Sequence, residues 1–346
     1  PLARSASFLA TVILIAMVAI PLLEIVSRRA FGRALIPGAA GYLEHLTLWI
    51  TFVGGALAAI YGRHLALSTV TFIKSGPFLF LVKILSAVAA ILVSLALGWG
   101  AVGHIQNERA FTDVLGGGVP RWTASLIMPV GYLFVAFAFW WRSPGNWRGR
   151  WLVLFLVAAC IATWALGLNY DRLLVPGLIA LCIITGFGSP LFAALGGMAA
   201  LFFHAMDEPM AAIAIETYSL ATMPLLPTLP LFALAGTVLA AGRSSQRLVG
   251  LFRALFGWAP GGSAVAAVVA CAFFTAITGA SGVTILALAG LLLPILVKEG
   301  YPERFSIGLL TASGSIGLLF PPSLPVILYG IRAEQEIENL FLAGLI

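Results

Sequence analysis

Two polar interruptions within long apolar stretches hold the residues of this chain that could do chemistry. The first is Thr278-Gly-Ala-Ser-Gly282, and the second runs from Ser313 to Pro325. A backbone group that leaves a helix inside a bilayer finds no water to bind. It is therefore stable only where protein surrounds it or where it lines a cavity holding water, an ion or a solute. Two such interruptions, close in sequence, predict a transport site.

The first interruption predicts a re-entrant hairpin whose tip lies at membrane depth. Its two arms belong to the apolar stretch 262–297, and each arm is marginal in length for a complete span. Glycine at a tip permits positive φ and close backbone approach, while hydroxyl oxygens can bind an ion. The candidates here are Thr278, Gly279 and Ser281 for Na⁺ and Ser281 and Gly282 for substrate, with a further hydroxyl at Thr284. The structural alternative is that these small residues only allow helices to pack tightly.

The second interruption predicts a helix over about 306–330 that is broken in the middle. Pro322 and Pro325 each lack an N–H, and a proline ring clashes with the carbonyl four residues earlier. Carbonyls freed between about Ser313 and Leu319 could coordinate Na⁺, and a half-helix beginning near Ser323 would direct its positive end towards an anion. The candidates in this segment are Ser313, Gly314 and Gly317 for Na⁺ and Pro322 and Ser323 for substrate.

The composition predicts an all-α polytopic membrane protein, because 61% of the residues are hydrophobic and 9% are charged. The mean hydropathy is +1.06. The candidate spans cover residues 6–27, 44–61, 77–101, 122–141, 151–168, 173–187, 190–206, 224–241, 262–297 and 306–330. The net charge of +6 lies in short loops between these spans, so it indicates membrane topology and no nucleic-acid partner.

The basic loops predict that the N-terminus, with Arg4, lies in the cytoplasm. The other basic residues assigned to the cytoplasmic side are Arg63 and Lys74, then Arg142, Arg148 and Arg150, and then Arg243, Arg247 and Arg253. Asp207 and Glu208 are assigned to the outer side of the membrane. One loop conflicts with this topology, because it would carry basic residues on the outer side, namely Arg28, Arg29 and Arg33.

Neither metal catalysis nor nucleotide hydrolysis is predicted. The four histidines are isolated in the sequence, and no Gly-Lys-Ser/Thr phosphate-binding loop is present. An ion gradient is therefore the expected energy source. Cys160, Cys182 and Cys271 are predicted to be small core residues. The polar residues of the first block are predicted to serve subunit packing or to lie at the membrane interface more than to contact substrate, namely Glu24, Glu44, His45, Arg63 and His64.

Three motifs resemble the large membrane subunit of tripartite ATP-independent periplasmic (TRAP) transporters. They are Pro230-Leu-Phe-Ala-Leu-Ala-Gly236, the stretch from Gly279-Ala-Ser-Gly282 to Tyr301, and Gly317-Leu-Leu-Phe-Pro-Pro-Ser-Leu-Pro-Val-Ile-Leu-Tyr-Gly330. The block before Arg142 is similar to the small subunit of the same family. The chain therefore resembles a natural fusion of the two subunits.

The resemblance implies three regions and an elevator-type fold. Residues 1–142 would form the four-helix small-subunit block, 143–170 a linker with a connecting helix, and 171–346 the first repeat of the large subunit. Within that repeat, the expected parts are scaffold helices over 171–260, the transport-domain hairpin and broken helix over 261–330, and the start of the second half over 331–346.

The resemblance also implies a Na⁺ symporter in the bacterial inner membrane. It would import an organic acid, a dicarboxylate or an acidic sugar, delivered by a periplasmic substrate-binding protein. The family's large subunit has two inverted repeats, so we expect the missing second half of the large subunit to complete the site. Two alternatives stay open: a Na⁺- or H⁺-coupled carboxylate carrier that needs no binding protein, and a membrane scaffold subunit that does not transport.

Overall fold

The computed structural model describes residues 2–67, 76–111, 114–115, 118–144, 147–165, 174–242, 244–279, 281–321 and 323–344. Lys74, Arg243, Ala280 and Pro322, which the sequence analysis used, lie outside the described residues. The described chain is mostly helical and divides into two compact units, Pro1–Pro224 and Leu225–Ile346. The prediction of a helical protein is confirmed.

Several helices are long and apolar enough to cross a membrane. In the described residues, five segments meet this criterion, namely Ala3–Phe31, Ala39–Tyr61, Pro77–Arg109, Arg121–Arg142 and Glu303–Arg332. Other apolar helices are shorter, with 10–17 residues. These features are consistent with a polytopic membrane protein, because a spanning helix needs about 20 residues.

The first unit is a helical assembly with one small β-hairpin. Its helices are α1 (Leu2–Phe31), α2 (Ala39–Tyr61), α3 (Pro77–Arg109), α4 (Arg121–Ser125), α5 (Ile127–Arg142), α6 (Trp147–Ala165), α7 (Leu174–Gly186), α8 (Leu191–Ala205) and α9 (Met210–Ala221). Strands β1 (Val114–Leu115) and β2 (Val119–Pro120) pair antiparallel between α3 and α4.

Helix α3 is the centre of the first unit and packs against α5, α6, α8 and α9. Small residues allow this contact: a Cβ added to Gly100 would collide with the Met210 carbonyl oxygen, and one added to Gly103 would lie 3.1 Å from Ala211 Cβ. Close approach of this kind is the main source of helix association where lipid is as apolar as the side chains. The helix continues to Arg109, beyond the candidate span 77–101.

A buried polar cluster connects α9 to α2 and α3. His45 Nε2 lies 2.8 Å from the Tyr218 hydroxyl, and the His104 ring centroid lies 4.8 Å from that of Tyr218. The neutral His45 ring donates a hydrogen bond from Nδ1 to the Gly41 carbonyl at 2.7 Å. Its Nε2 therefore accepts the hydrogen bond from the Tyr218 hydroxyl. Helix packing thus brings His45, His104 and Tyr218 together, although they are far apart in the sequence.

Other polar residues of the first block also make packing contacts. The ring centroid of His64 lies 5.3 Å from that of Phe139 and 5.2 Å from that of Phe192. Burial lowers the pKa of His64, which follows the end of α2. Glu24 pairs with Arg28 at 2.7 Å on α1. The His64 contacts join separate helices, whereas the Glu24–Arg28 pair lies within one helix.

The cysteines differ in their burial. Cys271 is buried, as predicted, whereas Cys160 and Cys182 are exposed on their helices. The prediction was wrong for these two because apolar sequence identifies residues suited to lipid as well as residues suited to a protein core.

The second unit surrounds one helix of small residues. Its helices are α10 (Thr228–Ala241), α11 (Ser244–Phe256), α12 (Gly262–Thr278), α13 (Ser281–Lys298), α14 (Glu303–Ile316), α15 (Leu324–Arg332) and α16 (Ile337–Ala343). A 3-10 turn, Gly317–Leu319, follows α14. Helix α12 contacts α10, α11, α13 and α14, and its Ala267, Ala270 and Cys271 lie in the same buried cluster as Leu288 and Leu292 of α13. The small side chains of α12 let four neighbours approach it closely.

Candidate functional site: the hairpin tip and the interrupted helix

The first interruption is a tight connection between two helices. Helix α12 ends at Thr278, Gly279 follows with φ of +66°, and α13 begins at Ser281. The Gly279 N–H donates to the Thr275 carbonyl at 2.8 Å, which closes the end of α12. A left-handed residue at this position is the usual way to end a helix, and glycine adopts it without a Cβ penalty. The break is therefore shorter than the segment 278–282, because Ser281 and Gly282 already belong to α13.

The second interruption also differs in extent from the sequence prediction. Ser313 and Gly314 lie inside α14, which continues to Ile316, so the helix ends later than the predicted break, which begins at Ser313. Serine and glycine alone do not end a helix, since their cost is about 0.5–1 kcal/mol each. The chain leaves the helix only at the Gly317–Leu319 turn, and Phe320 is extended.

The downstream half-helix begins where the sequence predicts. Ser323 precedes the first residue of α15, and Pro325 lies in the first turn. Proline is tolerated there because the first N–H groups of a helix have no carbonyl partner within it.

The two interruptions are in direct contact. A Cβ added to Gly279 would collide with the Leu324 side chain at the start of α15. A Cβ added to Gly317 would lie 2.6 Å from Thr275 Cβ and would also collide with the Ala272 carbonyl oxygen. Residues that are separate in sequence therefore meet, with the end of α12 packed against the turn that follows α14.

Two further glycines bring neighbouring helices to the same place. A Cβ on Gly314 would lie 3.1 Å from Ile285 Cγ1 and 3.5 Å from the Ser281 carbonyl oxygen, so α14 packs closely on the start of α13. A Cβ on Gly236 would lie 2.7 Å from Thr278 Cα, so α10 touches the tip. Gly236 is the last residue of the Pro230–Gly236 motif, and this contact explains why that position needs a glycine.

Five buried hydroxyl side chains accompany these contacts. They are Thr275, Thr278, Thr284, Ser313 and Ser323, each exposed by 3% or less. The Thr278 and Thr284 hydroxyl oxygens lie 3.0 Å apart, and Ser313 donates to the Leu309 carbonyl at 2.5 Å. Within the part of the chain that the structure describes, the hydroxyls of Thr275 and Ser323 have no hydrogen-bond partner. An unpaired buried polar group costs about 1–3 kcal/mol, so these two atoms are suited to a ligand.

The remaining candidates differ in burial. Ser281 is half-buried and Gly282 is exposed, with no heavy atom within 4 Å of a Cβ added to Gly282. Thr275 was missed in the sequence analysis, although it lies three residues before Thr278 and so on the same side of α12. That spacing was the signal that could have identified it.

A cavity of 290 Å³ lies at the opposite end of the hairpin. It is lined by residues around Gly261 and Gly300, and the neighbouring Arg253 pairs with Glu299 at 2.7 Å. The start of α12 is separated from its end by about 25 Å, at 1.5 Å per residue. The cavity is therefore distinct from the candidate ion residues.

The apolar helices and the two helix interruptions in contact are consistent with a polytopic membrane protein. Residues 175–346 match the family described as tripartite ATP-independent periplasmic transporter, DctM component, and residues 17–143 match the DctQ component of the same transporters. The chain belongs to this family of transporter membrane components, with both components fused in one polypeptide. The family consists of transporter permeases, not enzymes, and the chain is a multi-pass inner-membrane protein.

Curated relatives carry related descriptions. The C4-dicarboxylate TRAP transporter large permease protein DctM of Rhodobacter capsulatus is 29% identical over 191 residues, which are 51% of this chain and 43% of the relative. The isethionate TRAP transporter permease protein DctMQ of Oleidesulfovibrio alaskensis is 34% identical over 171 residues, 49% of this chain and 27% of the relative. The ectoine TRAP transporter large permease protein TeaC of Halomonas elongata is 32% identical over 196 residues, 56% of this chain and 41% of the relative. The chain thus spans less than half the length of these relatives.

Proposed function

We propose that this chain is the membrane component of a Na⁺-coupled secondary transporter that imports an organic acid delivered by a periplasmic binding protein. The observation that carries the proposal is the contact between Gly279 and Leu324, because it unites both interruptions in one place. Two unpartnered buried hydroxyls, Thr275 and Ser323, accompany this contact.

The chemistry of the buried side chains favours a monovalent cation. The buried polar side chains described in the second unit are all neutral hydroxyls. Oxygen ligands suit hard cations, and sites for Ca²⁺ or Mg²⁺ normally add carboxylates. Hydroxyl and carbonyl dipoles alone offset the charge of Na⁺ more readily than that of a divalent ion.

We assign Na⁺ to the end of α12 with the parts of α13 and α14 that meet it, and substrate to the starts of α13 and α15. The proposed ion residues are Thr278, Gly279, Ser281, Ser313, Gly314 and Gly317, now joined by Thr275. The proposed substrate residues are Ser281, Gly282, Pro322 and Ser323. The N-terminus of α15 supports an anionic substrate, because its free N–H groups and helix dipole favour negative charge.

The relatives support the substrate class. Their names specify a C4-dicarboxylate, isethionate and ectoine, which all contain a carboxylate or a sulfonate. A binding protein would capture such a molecule and release it to the membrane component. The small-subunit-like block would then serve as a static scaffold in an elevator-type movement.

The test is uptake by proteoliposomes that contain the transporter of which this chain is a component. Labelled succinate, isethionate and ectoine are presented with and without the binding protein, and with and without an inward Na⁺ gradient. We expect uptake of one of these three compounds only when both the binding protein and the Na⁺ gradient are present. Uptake without the binding protein would favour the direct carrier, uptake without Na⁺ would refute the coupling, and no uptake of any organic acid would favour the scaffold.

A further inference from the structure

A long apolar groove runs along the surface of the first unit, on helices that the candidate transport site does not use. Helices α1 and α5 both pack against α2. The cavity between them has a volume of 520 Å³, within the range of about 300–1,000 Å³ that is usual for ligand pockets. Its lining is apolar except for Ser5 and Arg142.

The shape of the groove fits an extended hydrocarbon chain. Its floor contains Phe52, Val53 and Ala56 of α2, and its lining on α5 extends from Ile127 to Arg142. This length of α5 is about 24 Å, at 1.5 Å per residue. Half of a hydrocarbon core measures about 15 Å, so the groove accommodates a lipid tail over the full depth of one leaflet.

A positively charged side chain, Arg142, lies at one end of the groove. The Arg142 guanidinium donates from one nitrogen to the Ile60 carbonyl at 2.7 Å, at the end of α2. Gly62 makes room for it, because a Cβ at that position would collide with the guanidinium. Arginine has five N–H donors in a planar arrangement that matches a phosphate, and the contact with Ile60 uses only one nitrogen.

Further features at this end match the region of lipid headgroups. Trp141 lines the groove, and the Arg150 guanidinium lies 4.5 Å from the centre of its ring. The Arg150 Nε is buried and has no hydrogen-bond partner among the described residues. Arg4 is exposed beside Ala3 and Ser5, which also line the groove. Tryptophan and arginine together are typical of the membrane interface, and the basic-loop topology places these residues on the cytoplasmic side, where anionic lipids are concentrated.

We propose that this groove binds one anionic phospholipid, with an acyl chain between α1 and α5 and the headgroup phosphate at Arg142. The charge at the end of an otherwise apolar groove selects this occupant over a zwitterionic lipid or an apolar helix of another protein. The bound lipid fills the space between α1 and α5 and so fixes their relative position.

The test is native mass spectrometry of the full chain with added dioleoyl phosphatidylglycerol or dioleoyl phosphatidylcholine. We expect one retained phosphatidylglycerol per chain and weaker retention of phosphatidylcholine. Arg142→Gln should weaken phosphatidylglycerol binding about tenfold, because a charge-assisted hydrogen bond is lost. It should weaken phosphatidylcholine binding less, because the choline cation of that lipid already offsets the phosphate charge. The matched control is Arg148→Gln, at an exposed position of α6, which should bind as the unmodified chain does.

A second variant separates loss of the headgroup contact from loss of the fold. Ala6→Phe places a ring in the groove from the half-buried face of α1 and leaves Arg142 intact. We expect it to abolish retention of both lipids without lowering the melting temperature of the delipidated chain. Equal retention of the two lipids by the unmodified chain would overturn the proposal. So would unchanged binding by either groove variant, or a dimer that forms in place of the lipid complex.

Discussion

Gly279 has two separate structural reasons to be a glycine. Its φ of +66° lies in the left-handed region, and the Leu324 side chain occupies the space that a Cβ would need. The first reason concerns the end of α12, and the second concerns the contact with α15. This residue therefore determines both the shape of the tip and its distance from the interrupted helix.

We predict that Gly279→Val reduces Na⁺-dependent uptake by more than about tenfold, which corresponds to a barrier increase of about 1.4 kcal/mol. The left-handed conformation costs a residue with a Cβ about 1–2 kcal/mol, and the valine must also displace Leu324. The measurement is initial uptake rate, normalised to the amount of protein in the membrane.

The matched control is Gly290→Val, in the middle of α13. Gly290 has a negative φ and no heavy atom within 4 Å of an added Cβ. This variant should transport at nearly the unmodified rate. Normal uptake by Gly279→Val would show that the tip tolerates a change of shape and is no ion site.

At the scale of elements, α9 is fixed to the first unit by a specific polar contact. Tyr218 is buried and donates to His45 of α2, while Gly100 and Gly103 bring α3 against the start of α9. Residues 175–346 match the DctM component, so α9 belongs by sequence to the large-subunit part. In the structure it lies in the same compact unit as the helices that match the DctQ component.

We predict that Tyr218→Phe destabilises the protein by about 1–3 kcal/mol, because it leaves the buried His45 Nε2 without a donor. Thermal unfolding in detergent measures the effect. Tyr61→Phe is the control, because Tyr61 is 54% exposed at the end of α2, and its melting temperature should not change. Equal melting temperatures for both variants would contradict the proposed role of the contact.

Some elements could be predicted from the sequence and others could not. The turn at Gly279 and the half-helix after Ser323 could be predicted from glycine and proline, because these residues act on the backbone directly. The extent of the second break did not, since Ser313 and Gly314 are weak helix breakers and remain within α14. The sequence predicts only a basic loop where α11 forms. In the structure Val249 is buried, and Leu248 and Phe252 pack against the core of the second unit.

At the scale of the whole molecule, contacts between distant residues were the main feature that the sequence did not reveal. The meeting of His45, His104 and Tyr218 depends on how three helices pack. The same is true of Gly317 against Thr275 and Gly279 against Leu324. Residue types predicted where the backbone would break, whereas helix packing determined which breaks would meet and which hydroxyls would be left without partners.

The central claim is that the meeting of the two interruptions forms an ion-coupled transport site, and Thr275→Val tests it most directly. Valine has the shape of threonine without its hydroxyl, so removing an unpartnered buried group should leave stability unchanged or improve it. Thr311→Val is the control, because Thr311 is exposed and donates to Ile307 at 2.8 Å within α14.

The measurement is the Na⁺ concentration that gives half-maximal uptake. If Thr275 contributes to an ion site, this concentration should rise about tenfold in Thr275→Val, equivalent to about 1.4 kcal/mol of binding free energy, and should stay constant in Thr311→Val. An unchanged Na⁺ dependence in Thr275→Val, with the protein folded and present in the membrane, would contradict the claim.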